Sequence, residues 1–119
     1  MITLYGIPNC DTVKRARRWL DDHGIAYRFH DLRRDGLDDD RLAAWIDAVG
    51  WESLLNRRGT TWRRLPEAAR ASIDRGNAAR LMLEQPTLIR RPVLARGRRL
   101  QVGFDADSYQ ALFGGAARS

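Results

Sequence analysis

The sequence contains a single cysteine, Cys10, among its 119 residues, so a disulfide within the chain is excluded. It has only two histidines, His23 and His30, which leave no cluster of metal ligands. It lacks a glycine-rich nucleotide loop, a basic leader with a secretory pattern, and any apolar run near the roughly 20 residues that span a bilayer. We therefore expect a cytoplasmic protein without a bound cofactor, metal or membrane partner.

Lysine is almost missing as well. Of the 21 basic residues only Lys14 is lysine, and 15 acidic residues leave a formal net charge of +6. The arginines form scattered pairs between acidic residues rather than one stripe, which argues against nucleic acid as a partner. We interpret the charge mainly as a solvated surface on which a few individual arginines have specific roles.

The pattern of apolar residues predicts an α/β fold. An apolar strand over 1–5 is followed by an amphipathic helix over 11–23 and an alternating strand over 25–32, which together form a parallel βαβ unit. The last third predicts a ββα unit, whose segments are an extended stretch over 87–95, a turn at 96–99, a strand over 100–104, and a helix after Asp105 with an irregular tail over 114–119. A small mixed four-stranded sheet follows from these two units.

Between these two units the sequence is helical in character. Its 44% hydrophobic content and its length favour one domain, 1–119, with a helical insertion of about 38–85. Pro66 suits the start of a helix, and Gly76 is expected to interrupt the helical run. The predicted helices cover 38–49, 52–56, 66–74 and 77–85.

Cys10 lies where the first strand gives way to the first helix. The unpaired amides and the dipole at a helix N-terminus favour thiolate over thiol, whereas the neighbouring Asp11 opposes a second anion. Two interpretations stay open on position alone: a nucleophile, or a small buried residue without chemistry. Neither His23 nor His30 is placed as a base for a Cys–His dyad.

The Arg91-Pro92 step precedes an apolar strand. A proline there is a candidate for a cis bond in a turn beside the first helix, which would let Arg91 hold a thiolate or clamp an oxyanion. The alternative is an exposed arginine before an ordinary trans proline.

Segment 57–62 joins two arginines, a glycine and two hydroxyl groups. This composition suits an anion-binding loop, although arginine and tryptophan also occur together in nucleic-acid binders.

Several segments together resemble the ArsC/Spx family, in its short YffB-like branch. They follow the family's order and spacing across nearly the whole chain, at 5–12, 27–31, 54–62, 88–92 and 102–104. The resemblance implies a thioredoxin-like fold with an inserted helical subdomain and a cis Arg91–Pro92 bond.

The resemblance also implies a site and a reaction. Cys10 would be the nucleophile and Arg91 the catalytic arginine, and glutathione or glutaredoxin would supply the second thiol. The substrate would be a mixed disulfide or a small oxyanion such as arsenate. The residues implied to bind substrate or glutathione are Asn9, Asp11, Thr12, Arg58 and Pro92.

The chain departs from the family pattern at two positions. Val102 lies near the place of the third arginine of arsenate reductases, which makes arsenate a weaker candidate substrate. Val13 replaces the second cysteine of the Spx redox switch, so that internal switch cannot form. We predict a glutathione-dependent monothiol oxidoreductase, and the alternative is an Spx-like regulator that binds RNA polymerase or another protein without turnover.

Overall fold

The computed structural model describes residues 1–117, with side chains through Gly114. The chain divides into two compact units, one formed by Met1–Asp31 with the chain from Arg91 onward, the other by Leu32–Arg90. We predicted one domain, 1–119, with a helical insertion of about 38–85. This stays a prediction, because the division into two compact units does not test it. In chain order the elements are β1 (Ile2–Gly6), α1 (Asp11–Asp22), β2 (Arg28–Asp31), α2 (Asp39–Val49), α3 (Trp51–Leu54), α4 (Thr60–Arg64), α5 (Glu67–Ala71), α6 (Arg75–Glu84), a 3₁₀ turn (Pro86–Leu88), β3 (Val93–Arg96), β4 (Arg99–Val102) and α7 (Ala106–Ala117).

The first unit contains a four-stranded sheet in the order β2-β1-β3-β4. β1 and β2 are parallel, whereas β3 is antiparallel to both β1 and β4. Helix α1 connects β1 to β2, and a two-residue turn with Gly97 at a φ of +59° connects β3 to β4. The predicted mixed α/β sheet, βαβ followed by ββα, is confirmed.

The core of the first unit lies between this sheet and helices α1 and α7. Each of these elements points its apolar side chains inward at strand or helix spacing, as the amphipathic pattern predicts. The buried cluster consists of Leu4, Ala16, Leu20, Leu94, Tyr109 and Phe113.

Several element boundaries differ from the prediction. The extended stretch expected over 87–95 is a strand only from Val93, with Pro86–Leu88 in a 3₁₀ turn, and β4 covers Arg99–Val102 rather than 100–104. β2 begins at Arg28 rather than at Ile25, because the Ile25 amide donates to the Leu20 carbonyl (3.0 Å) and closes the end of α1, with Gly24 at a φ of +67°. The predicted irregular tail over 114–119 is wrong as far as Ala117, since α7 continues to that residue. Residues 118–119 lie outside the described part of the chain.

The second unit is helical, and α6 packs against α2 and α3. The Asn56 amide donates to the Leu88 carbonyl, and the Arg90 amide donates to the Leu54 carbonyl, each at 2.7 Å. These bonds tie the end of α3 to the segment that follows the 3₁₀ turn. A short antiparallel bridge between Leu55 and Ile89 therefore joins the middle of the unit to its C-terminal end.

The prediction that Gly76 interrupts the helical run is wrong. Asp74 accepts a hydrogen bond from the Asn77 amide (2.8 Å) and caps α6, so the helix begins at Arg75 and includes Gly76. The capping energy of an aspartate outweighs the low helix propensity of one glycine in the first turn. α4 lies within a stretch that we expected to be a loop.

Candidate active site

The local backbone places Cys10 at a corner between β1 and α1. The Cys10 amide donates to the Ile7 carbonyl (3.2 Å), which closes the turn after β1. The Cys10 carbonyl then accepts from the Lys14 amide (2.9 Å), which makes Cys10 the N-cap residue of α1. The residue is half-buried, and among the described residues its side chain forms no capping hydrogen bond.

The N-terminus of α1, where Cys10 lies, is an electropositive part of the backbone. The first-turn amides of an α-helix have no carbonyl partner within the helix, and they carry the positive end of its dipole. Asp11, an exposed carboxylate in the first turn, partly offsets that effect. The chemistry expected of such a sulfur is nucleophilic attack.

A close contact between β1 and α1 fixes the turn that carries Cys10. A Cβ on Gly6 would lie 2.8 Å from Cγ2 of Val13 and 3.6 Å from Cε1 of Phe29. Val13 is fully buried, so it cannot turn away from an added methyl group. Glycine at this position therefore lets the first turn of α1 lie directly against the end of the strand.

The register between β1 and β3 brings a second segment to the same edge of the sheet. Tyr5 pairs with Val93 in this antiparallel ladder, so the turn after β1 and the residues before β3 lie at one end. The Arg91–Pro92 bond is cis, as predicted. Pro92 is buried, with its carbonyl accepting from the Gly103 amide (2.8 Å), and Arg91 is half-buried.

β4 brings no arginine to this edge. Val102 pairs with Val93 and is half-buried, whereas Arg99 pairs with Arg96 at the opposite end of the hairpin. Val102, the position at which the chain departs from the arsenate reductase pattern, therefore lies beside the Arg91-Pro92 segment. An oxyanion at this edge would lack a guanidinium from β4.

The remaining predicted residues of the first unit lie around the same corner. Asn9 and Asp11 are exposed, and Thr12 is half-buried in the first turn of α1. Their roles in binding substrate or glutathione stay predictions.

The predicted loop over 57–62, in the second unit, has a more defined structure than its composition suggests. The Arg57 guanidinium lies 5.6 Å from the ring centroids of both Trp51 and Trp62. The hydroxyl groups of Thr61 and Thr87 are hydrogen-bonded at 2.7 Å. The contact between Arg57 and Trp51 was not predicted from the sequence. The signal that could have indicated it is a second tryptophan on the other side of the arginine pair.

The two histidines lie elsewhere in the first unit. His23 follows the C-terminus of α1, where Nδ1 donates to the Trp19 carbonyl (2.8 Å) and the ring stacks on the indole at 3.8 Å. Twelve helical residues, about 18 Å, separate it from Cys10. His30 pairs with Tyr5, and their ring centroids are 4.8 Å apart. Within residues 1–117, no three His, Cys, Asp or Glu side chains form a group that could hold a metal ion.

Among residues 1–117, no helix is long and apolar enough to cross a bilayer.

The sheet order, the cysteine at the start of the first helix and the cis-proline strand at the same edge define a thioredoxin-like protein. The family model of the ArsC family matches residues 5–112, and the chain belongs to this family.

Individual relatives support that assignment. The solved structure of the YffB protein is 50% identical, covers 93% of this chain and 97% of its own, and superposes with a TM-score of 0.89. An arsenate reductase related protein from Brucella melitensis is 53% identical over 94% of this chain and 93% of its own, with a TM-score of 0.78. The global transcriptional regulator Spx of Streptococcus agalactiae is 28% identical over 113 residues, which cover 93% of this chain and 82% of the relative.

Proposed function

We propose that this protein is a glutathione-dependent monothiol oxidoreductase with Cys10 as its nucleophile. The observation that carries the proposal is the position of Cys10: half-buried, at the N-terminus of α1, and at the same sheet edge as Arg91 and Pro92. The similarity to a protein related to arsenate reductase supports the same class of chemistry.

The reaction on a mixed disulfide balances with one cysteine. The Cys10 thiolate attacks the glutathionyl sulfur, the original S–S bond breaks, and the substrate leaves as a thiolate. The enzyme then carries glutathione on Cys10. A second glutathione thiolate attacks that bond, releases oxidised glutathione and restores Cys10.

Arsenate is the weaker of the two substrate classes. Its reduction takes two electrons, which Cys10 and one glutathione supply together when they end as a mixed disulfide. The oxyanion, however, would lack an arginine from β4, because Val102 occupies that edge. Each charge-assisted contact contributes on the order of 1.5–3 kcal/mol, so one missing contact weakens oxyanion binding by roughly tenfold or more.

Intact mass spectrometry after incubation with oxidised glutathione tests the nucleophile. The wild-type chain should gain one glutathionyl group and lose it on addition of reduced glutathione. Cys10→Ser should gain none and should lose all turnover of glutathionylated substrates. Glutathione-dependent turnover by Cys10→Ser would overturn the proposal.

Arg91 is proposed to stabilise the anion formed at the sulfur or on the substrate. Arg91→Ala should lower kcat/KM by roughly tenfold to a hundredfold, the loss expected for one charge-assisted contact. Arg98→Ala is a matched control, because Arg98 is exposed in the turn at the opposite end of β3. An equal loss in both variants would indicate a general effect of net charge instead.

The similarity to Spx favours one alternative, a non-catalytic regulator that binds RNA polymerase or another protein. Such a protein would be recovered with RNA polymerase in a pull-down by both wild type and Cys10→Ala, and neither would show reductase activity. Turnover that depends on Cys10 would decide for the oxidoreductase.

A further inference from the structure

The segment between β2 and α2 contains the only Asp-Gly step of the sequence, Asp35-Gly36. Residues 32–35 form a turn, and Gly36 follows at a φ of +79°, in the left-handed region. A Cβ on Gly36 would meet no heavy atom within 4 Å beyond its chain neighbours. Asp35 is exposed, so both residues of the step lie in open surroundings.

An aspartate followed by glycine in such a turn is open to attack by its own backbone. The nitrogen of the following residue lies close in the chain to the side-chain carbon Cγ, and a glycine has no Cβ that hinders the approach. A helix or strand prevents the backbone rotation that brings the two atoms together, whereas an exposed turn permits it. The position of Asp35-Gly36 therefore favours a reaction within the chain.

We propose that Asp35-Gly36 is a site of spontaneous isomerisation to isoaspartate, and that the ion pair with Arg34 slows the reaction. In the first step a C–N bond forms between the Gly36 nitrogen and Cγ of Asp35, the side-chain hydroxyl leaves as water, and a succinimide remains. Water then opens the ring at either carbonyl, which gives aspartate again or isoaspartate. The reaction involves no oxidant or reductant, and the inference is independent of the proposed oxidoreductase function.

The Arg34 guanidinium contacts both carboxylate oxygens of Asp35. Nε donates to Oδ1 (3.1 Å), and Nη2 donates to Oδ2 (3.3 Å). Because the hydroxyl must leave as water, the ring forms from the protonated carboxyl, whereas the guanidinium favours the ionised carboxylate. The Arg34 side chain is 74% exposed, so water weakens the pair, and the ion pair should slow the reaction by at most about fivefold.

The step Asp107-Ser108 provides a control within the same chain. Serine is also a small residue, but this step lies in α7, and the Ser108 amide donates to Oδ1 of Asp105 at 2.7 Å. The helix fixes the backbone at Asp107, and the capping bond engages the nitrogen that would attack. We therefore expect isomerisation at Asp35 and none at Asp107.

Incubation of the folded wild-type chain in heavy-oxygen water, followed by digestion in ordinary water, tests the proposal. Hydrolysis of each succinimide adds one heavy oxygen atom, and a protein isoaspartate methyltransferase labels the isomerised product. Both signals should accumulate with time in the tryptic peptide 35–41 and should stay absent at Asp107. If peptide 35–41 gains neither signal, or if Asp107 is labelled at the same rate, the proposal is wrong.

Three variants separate the parts of the mechanism. Gly36→Asn adds a side chain that still tolerates the left-handed conformation, and Asp35→Glu retains the charge but would have to close a larger ring. Both should gain heavy oxygen at residue 35 several times more slowly than the wild type, and Arg34→Ala should gain it up to about fivefold faster. An unchanged rate in Gly36→Asn and Asp35→Glu would overturn the site, and an unchanged rate in Arg34→Ala would refute the role of the ion pair. Circular dichroism checks that each variant is folded.

Discussion

Tyr109 offers a prediction that can be worked from the structure in detail. Its side chain is fully buried in the first unit, with ring centroids 4.7 Å from Phe104, 5.5 Å from Trp19 and 6.2 Å from Phe113. Among the described residues, its hydroxyl has no hydrogen-bond partner. Tyr109→Phe keeps every ring contact and removes only this polar group.

The expected result is a more stable protein. An unsatisfied buried hydroxyl costs about 1–3 kcal/mol, and the small gap left by its removal offsets part of that gain. The free energy of unfolding should therefore rise by about 1–2 kcal/mol, which corresponds to roughly 4–8 °C in Tm for a chain of this length. Urea unfolding followed by circular dichroism measures the change.

Tyr27→Phe is the matched control. The Tyr27 hydroxyl accepts a hydrogen bond from Nε of Arg17 (3.0 Å), so its removal leaves a partly buried donor without that acceptor. This variant should lose about 0.5–1.5 kcal/mol. A loss of 1 kcal/mol or more in Tyr109→Phe would refute the argument, because it would mean that the Tyr109 hydroxyl makes a stabilising contact.

The same hydroxyl predicts a response to alkali. Burial raises the pKa of Tyr109 well above its ordinary value of 10.0. Above pH 10 the folded state therefore keeps a proton that the unfolded state releases. The free energy of unfolding is unaffected by this group below pH 10 and falls as the pH rises further. Tyr109→Phe should lose less stability than wild type above pH 10.

Two further predictions concern the strand–helix corner and the last helix. Gly6→Ala should lower the free energy of unfolding by about 1–3 kcal/mol, because its Cβ would lie 2.8 Å from the buried Val13. Gly76→Ala in α6 is the control and should raise the free energy of unfolding by about 0.4–1 kcal/mol. Urea unfolding measures both changes, and a change of the same sign in both variants would contradict the packing argument. Hydrogen bonds from the amide and hydroxyl of Ser108 hold the pKa of Asp105 below its ordinary 3.8, so the stability they contribute is present above pH 3.8 and is lost as the pH falls through the lowered value. Asp105→Asn should reduce this loss, which is measured as the fall of Tm in thermal melts at acid pH. If Tm falls equally in the variant and the wild type, Asp105 is not the source of the loss.

Helices were predicted most accurately where the spacing of apolar residues agreed with a signal at the end of the helix. The spacing of Val13, Ala16 and Leu20 predicts α1 to within one residue of its observed end. The last helix was correctly predicted to follow Asp105, whose side chain accepts a hydrogen bond from the Ser108 amide at 2.7 Å. Such features depend on interactions between residues three or four apart, which a linear sequence displays directly.

Predictions were wrong where a contact outside the local pattern decided the conformation. Gly76 suggested a break, but the cap at Asp74 begins the helix ahead of it. Segment 57–62 was expected to be a loop, but its second half belongs to α4, and the Arg57 guanidinium lies over the rings of both Trp51 and Trp62. Its anion-binding role stays a prediction. Propensity is weak beside a capping bond or a tertiary aromatic contact.

The sequence by itself determined that the chain has one thiol, at a strand–helix boundary, so any disulfide it forms must include sulfur from another molecule. It could not determine what lies beside that thiol. Only the tertiary structure decided this, because the pairing of Tyr5 with Val93 brings the cis Arg91–Pro92 segment to the edge that carries Cys10, across more than eighty residues of chain. Register is set by hydrogen bonds and burial between distant strands, which no local pattern contains.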